Sequence, residues 1–118
     1  MKWLTAIRKS IDYIETHLKE DITVQDIANQ VFLSSLHFQR GFLIVTGYSV
    51  SEYIRNRRLY LSAIELKQTS KKIIDIAYDY GYETPESFRK AFTRFHGTTP
   101  IKIKQGGHIK TFLPLNVK

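Results

Sequence analysis

Apolar and polar positions alternate along this chain with the period of helices, and the breaks between stripes carry helix start and stop signals. Ile7, Ile11, Ile14 and Leu18 fall at three- and four-residue spacing, which predicts a helix from about Thr5 to Lys19. Thr23 with Asp26 makes a capping-box-like start for a short second helix carrying Val24, Ile27, Ala28 and Val31. Phe32 and Leu33 form a turn. Ser34 or Ser35 caps a third helix with Leu36, Phe38, Phe42, Leu43 and Val45, and Gly47 stops it. The stretch "SVSE", Ser49 to Glu52, is a capping box and opens a long helix from about 50 to 68, roughly 27 Å in length. Ser70 is the expected cap of a short fifth helix through Ile73, Ile76 and Tyr80, with Gly81 as its end. Thr84-Pro85 and Thr99-Pro100 each pair a cap with proline at the first helical position. The first opens a helix bearing Phe88, Ala91, Phe92 and Phe95 and closed by Gly97, and the second a last turn or two to about Lys104.

The pattern is duplicated. Ile27-Ala28 recurs as Ile76-Ala77, and Phe38, Phe42 and Gly47 recur as Phe88, Phe92 and Gly97, with one extra residue in the turn of the second copy. Each copy is a short helix, a tight turn, a hydroxyl-capped second helix and a glycine stop, which is the outline of a helix-turn-helix. A solenoid would need about three such units or more. The expected architecture is therefore all-α, with about seven helices forming two helix-turn-helix subdomains, about 5–49 and 70–104, joined by a linker helix at 50–68. Residues 105–118 differ in character. Gly106-Gly107 reads as a linker, and "HIKTFLPLNVK" has a strand-like look. It reads either as the start of a following domain that the chain lacks or as a frayed terminus.

Charge narrows the class of partner. A net charge of +7 favours a polyanion, nucleic acid before an anionic membrane, although a solvated basic surface accounts for it as well. The chain has no cysteine, so disulfides and thiol chemistry are excluded, and cytoplasmic localisation is expected. No apolar run approaches the ~18 residues of a membrane span. The four histidines make no metal-ligand spacing, and no phosphate loop or nucleophile elbow occurs, so neither a cofactor nor an enzymatic reaction is expected.

Outward positions near the start of each capped helix have side chains suited to base edges. Arg pairs with O6 and N7 of guanine and Gln with N6 and N7 of adenine, while an apolar side chain meets the thymine methyl. Gln39 and Arg40 lie near the third helix's N-terminus with Leu36 on the same side, while Phe38 and Phe42 face the core. The corresponding positions of the second copy are Glu86, Ser87, Arg89 and Lys90. Glu86 either accepts from a cytosine amino group or simply favours the helix N-terminus. Ser34 and Thr84 are placed to bond phosphates at helix N-termini. Of the three arginines on the long helix, Arg55 and Arg57 are expected on phosphates and Arg58 in a structural role. The linker's length is compatible with major grooves ~34 Å apart.

From about Arg8 to Lys104 the chain resembles the DNA-binding domain of AraC/XylS-type bacterial transcription regulators. The resemblance rests on "DITVQDIANQV", "LSSLHFQRGF…TGYSVSEYIRNRRLYLSAIELKQT" and "IIDIAYDYGYETPESFRKAFTRFHGTTP", and is most specific in the second unit and its Gly97…Pro100 ending. It implies seven helices, two helix-turn-helix subdomains and a rigid linker helix. It implies base contacts by Ser35, Leu36, Gln39 and Arg40, and by Glu86, Ser87 and Lys90 with Arg89 adjacent. It also implies transcription activation through double-stranded DNA and RNA polymerase. A small-molecule effector would act only through a missing C-terminal domain, and the domain itself is expected to be monomeric. Three departures stand out. Phe32 occupies a turn position where many members have glycine, at a cost of order 1 kcal/mol if left-handed. Gly41 inside the recognition helix costs ~1 kcal/mol relative to Ala. The last helix ends "IKIK" where many members have a tyrosine and an arginine. The competing expectation is a helical protein-interaction module with only non-specific DNA affinity.

Overall fold

The computed structural model describes residues 2–117. Seven helices follow one another: α1 Trp3–Thr16, α2 Val24–Gln30, α3 Ser35–Thr46, α4 Val50–Gln68, α5 Ile73–Asp79, α6 Pro85–His96 and α7 Pro100–Lys104. No strand occurs among the described residues, in agreement with the all-α, seven-helix expectation. The chain forms two compact units. One comprises α1 to α3 and the start of α4, to Arg55, with the segment from Pro114 onward; the other runs from Asn56 to Leu113.

In the first unit the α1 stripe is buried as its spacing predicts, with Ile7 and Ile14 at 0% exposure. Ser10, buried beside them, donates its hydroxyl to the Ile7 carbonyl at 2.7 Å, so it carries no unmet hydrogen bond. α1 stops at Thr16, sooner than expected. The His17 ring stacks on Tyr13 at 4.0 Å, and its Nδ1 bonds the Tyr13 carbonyl at 2.6 Å, turning the chain out of the helix. Leu18 still reaches the core, from the turn. At the α2 start Thr23 and Asp26 form the full reciprocal box, each side chain bonding the other's backbone N–H.

The second unit packs Leu59, Ala63 and Leu66 of α4 against Ile76 and Ala77 of α5, Phe88 and Phe92 of α6 and Ile103 of α7. Ser70 does not cap α5. The helix begins after Lys72, which makes no side-chain cap bond. The loop before it is held instead by the Lys71 ammonium, 3.5 Å from Glu65 and 3.3 Å from Asp79. The Tyr80 hydroxyl donates to Glu65, and burial, reinforced by that carboxylate, pushes its ionisation far above the usual phenol range.

Among the described residues, those after α7 form no strand. Gly106 is left-handed at φ 101°, and Gly107 donates to the Lys102 carbonyl at 2.9 Å. A β-carbon on Gly107 would lie 2.8 Å from that carbonyl oxygen, so the close return requires glycine there. Beyond it Ile109 packs on the unit's core, and Phe112 meets Phe95 edge to face at 6.2 Å. The His96 ring closes the arrangement. It lies 2.9 Å through Nε2 from the Leu59 carbonyl and 3.0 Å through Nδ1 from the Lys110 backbone N–H.

Candidate nucleic-acid interface

The two helix-turn-helix turns share one device. In the first, Phe32 is left-handed at φ 58° and the next N–H, of Leu33, returns to the Ala28 carbonyl at 3.1 Å. In the second, Gly81 is left-handed at φ 86° and Tyr82 N–H returns to the Ala77 carbonyl at 3.0 Å. The extra residue of the second copy therefore lies after the left-handed position. Leu33 alone precedes the cap in the first turn, whereas Tyr82 and Glu83 precede it in the second. Phe32 meets the condition under which a left-handed phenylalanine is costly, and with 85% exposure it gains little burial in return.

Ser34, not Ser35, caps α3, its hydroxyl oxygen accepting from His37 N–H at 3.1 Å. Thr84 does the same for α6 with Ser87 N–H, also at 3.1 Å. A hydroxyl that accepts from its own helix keeps its proton, which is what a phosphate oxygen would take. Phe38 and Phe42 on α3, like Phe88 and Phe92 on α6, are at 0% exposure and fix which face of each helix turns outward. Leu36, Gln39 and Arg40 consequently stand exposed on α3, and Ser35 is half-buried at its start. On α6, Glu86, Ser87, Arg89 and Lys90 are all exposed. The Ser87 hydroxyl donates to the Thr84 carbonyl at 2.9 Å, which leaves its oxygen as an acceptor toward solvent.

The arginines of α4 separate. Arg55 is exposed. Arg57, expected on a phosphate, is only 4% exposed; its Nη1 donates to the Phe112 carbonyl and its guanidinium lies 5.6 Å from the centre of the Tyr60 ring. A phosphate contact by Arg57 does not fit this placement, because the guanidinium is buried and engaged by the Phe112 carbonyl and the Tyr60 ring. Arg58, expected to be the structural one, is half-buried and also has partners within the fold. Arg57's partner lies in the segment after the glycine pair, and no local pattern in the sequence signals so distant a pairing. Gly41 gains an explanation that periodicity could not give. A β-carbon there would fall 2.0 Å from the Trp3 ring, so the helix carries glycine where an aromatic ring of α1 lies against it. Among the described residues no group of three or more His, Cys, Asp or Glu could hold a metal, and no helix is long and apolar enough to cross a membrane.

A family model described as "Helix-turn-helix domain" matches residues 17–106. The chain is 39% identical over 113 residues to the uncharacterized HTH-type transcriptional regulator YbfP of Bacillus subtilis, a match covering 96% of this chain. It spans 36% of that regulator's length, as it spans only about a third of several other curated relatives it matches. The regulatory protein SoxS of Salmonella typhimurium is 37% identical over 94 residues, with 80% of this chain and 88% of SoxS covered. Among solved structures, an AraC-type transcriptional regulator from Chromobacterium violaceum superposes with a TM-score of 0.81 at 25% identity, covering 86% of this chain and 90% of that one.

Proposed function

This chain belongs to the AraC/XylS-type DNA-binding domains, and from that premise we propose that it regulates transcription by binding double-stranded DNA sequence-specifically, with α3 and α6 in successive major grooves. The observation that carries the proposal is the duplication itself. Two hydroxyl-capped helices bury paired phenylalanines and turn base-reading residue types outward at matching positions. Leu36, Gln39 and Arg40 with Ser35 read one groove; Glu86, Ser87, Arg89 and Lys90 read the next. Ser34, Thr84 and Arg55 hold phosphates, the first two with hydroxyl protons that their cap bonds leave unused. One chain then recognises an asymmetric site as a monomer. Activation follows by contact with RNA polymerase in the cytoplasm.

Selection from random duplex DNA by this chain tests the proposal. The expected outcome is a motif in two blocks about one helical turn apart, bound with an affinity that falls steeply as salt rises. Enrichment of no motif, with weak binding to every sequence alike, would instead identify a helical interaction module.

A further inference from the structure

We propose that a groove beside α3 binds a small apolar carboxylate and that the bound carboxylate competes with DNA for Arg40; the competition, though not the binding, rests on the reading of Arg40 as a base contact. Trp3 lies against Gly41 and meets the His37 ring edge to face at 5.4 Å. With Arg40, Ile44 and Val45 they line a groove of about 370 Å³. That volume lies within the ~300–1,000 Å³ range of small-molecule sites, and the lining has the usual composition, mostly apolar with a few polar groups.

Two observations select the occupant. Ile44 is 83% exposed, so the core does not require it, and the matching position of the second copy is Arg94. The first copy thus carries an apolar wall where its duplicate carries a cation. The charged residues of α3 and of the first ten positions are all cations. Arg40 lines it, Lys2 precedes the Trp3 helix, and neither α3 nor the first ten residues contain an acid. An apolar body against Trp3 and Ile44, with a carboxylate on the Arg40 fork, satisfies both features. A phosphate would leave the walls unused, and a neutral alcohol would leave the guanidinium without its ion pair. Arg40 cannot bond a ligand carboxylate and a guanine edge at once, so occupancy withdraws one base contact.

Trp3 is the sole tryptophan, so its fluorescence reports on this groove alone. Titration with 4-phenylbutyrate should give a saturable change with millimolar or tighter affinity, and 4-phenylbutan-1-ol should bind about tenfold more weakly. Ile44→Ser, at an exposed position that leaves helicity by circular dichroism intact, should weaken the carboxylate by about tenfold as well. 4-Phenylbutyrate just saturating for the parent chain should lower its affinity for the selected duplex by about tenfold, and at the same concentration should lower that of Ile44→Ser by less. A response that does not saturate, is matched by the alcohol, or is unchanged in Ile44→Ser overturns the site even if the duplex binds. Saturation with the stated selectivity in a chain that binds no duplex upholds the site and removes the DNA reading. Simultaneous binding of probe and duplex with no mutual effect overturns the competition.

Discussion

The His96 imidazole accepts a hydrogen bond at Nδ1 from the Lys110 backbone N–H, 3.0 Å away, while its Nε2–H donates to the Leu59 carbonyl at 2.9 Å. A carbonyl only accepts and an amide only donates, so the ring is held neutral in one tautomer. Burial holds its pKa below the ordinary 6.5 and the Lys110 ammonium adds to this, against an upward pull from the Leu59 carbonyl. Above pH 6.5 the ring is neutral whether the segment around Lys110 is docked or released, and docking has its full strength. As the pH falls below 6.5 the released state takes up a proton that the docked state refuses until lower pH, so docking weakens. The Lys110 amide and Phe112 ring resonances, followed from about pH 7.5 to about pH 5, should move toward unstructured values with a midpoint below the free histidine's. A midpoint at or above that of free histidine would contradict the arrangement.

Gly41→Ala sets two effects against each other. Alanine is the better helix former by ~1 kcal/mol. Its methyl, however, needs the space of the Trp3 ring, and overpacking of this kind costs about 1–3 kcal/mol. The net expectation is a lower urea midpoint and a more exposed Trp3 emission. In a Trp3→Ala background the clash is gone, and the same substitution should raise the midpoint. Equal effects in both backgrounds would show that the ring does not dictate the glycine.

Phe32→Gly should stabilise the first unit by about 1 kcal/mol, the left-handed strain relieved exceeding the chain entropy that glycine adds. The side chain is 85% exposed, so almost no burial is lost. Thermal unfolding should shift upward; a downward shift would mean that the phenyl ring makes a contact worth more than the strain.

The proposed function divides the arginines into readers and braces. Arg40→Ala should leave stability within ~0.5 kcal/mol and cost ~1–3 kcal/mol of specific binding, relaxing preference at one base position. An unchanged selected motif would remove Arg40 from the base contacts. Arg55→Ala should weaken all sequences alike and flatten the salt slope by about one.

Arg57→Ala should do the reverse of Arg55→Ala. Its loss removes the bond to the Phe112 carbonyl and the contact with the Tyr60 ring, at about 1–3 kcal/mol of stability, while the salt slope holds. A flattened salt slope with unaltered stability would restore Arg57 to the phosphates.

Elements set by local chemistry were legible in the sequence. The Thr23, Thr84 and Thr99 caps, the glycine stops at Gly47 and Gly97 and the buried phenylalanine pairs all act within one turn of helix, so spacing alone locates them. What escaped depends on partners far along the chain. Ser70 has the composition of a cap, but α5 begins after Lys72, past the Lys71 ammonium that reaches Glu65 and Asp79. Arg55, Arg57 and Arg58 look alike in sequence, and burial with a bond to the Phe112 carbonyl distinguishes the middle one. Spacing gives Gly41 only a cost to the helix, whereas the Trp3 ring of a different helix is what lies against it.

Each unit closes its hydrophobic interior with its own phenylalanines, and the exposed residues at 36, 39, 40, 86, 87, 89 and 90 lie outside both interiors. Changes there leave folding almost untouched. On the proposed reading, evolution, or an engineer, can thus rewrite half of an operator preference at a time, keeping the other half as an anchor while the new letters are tried.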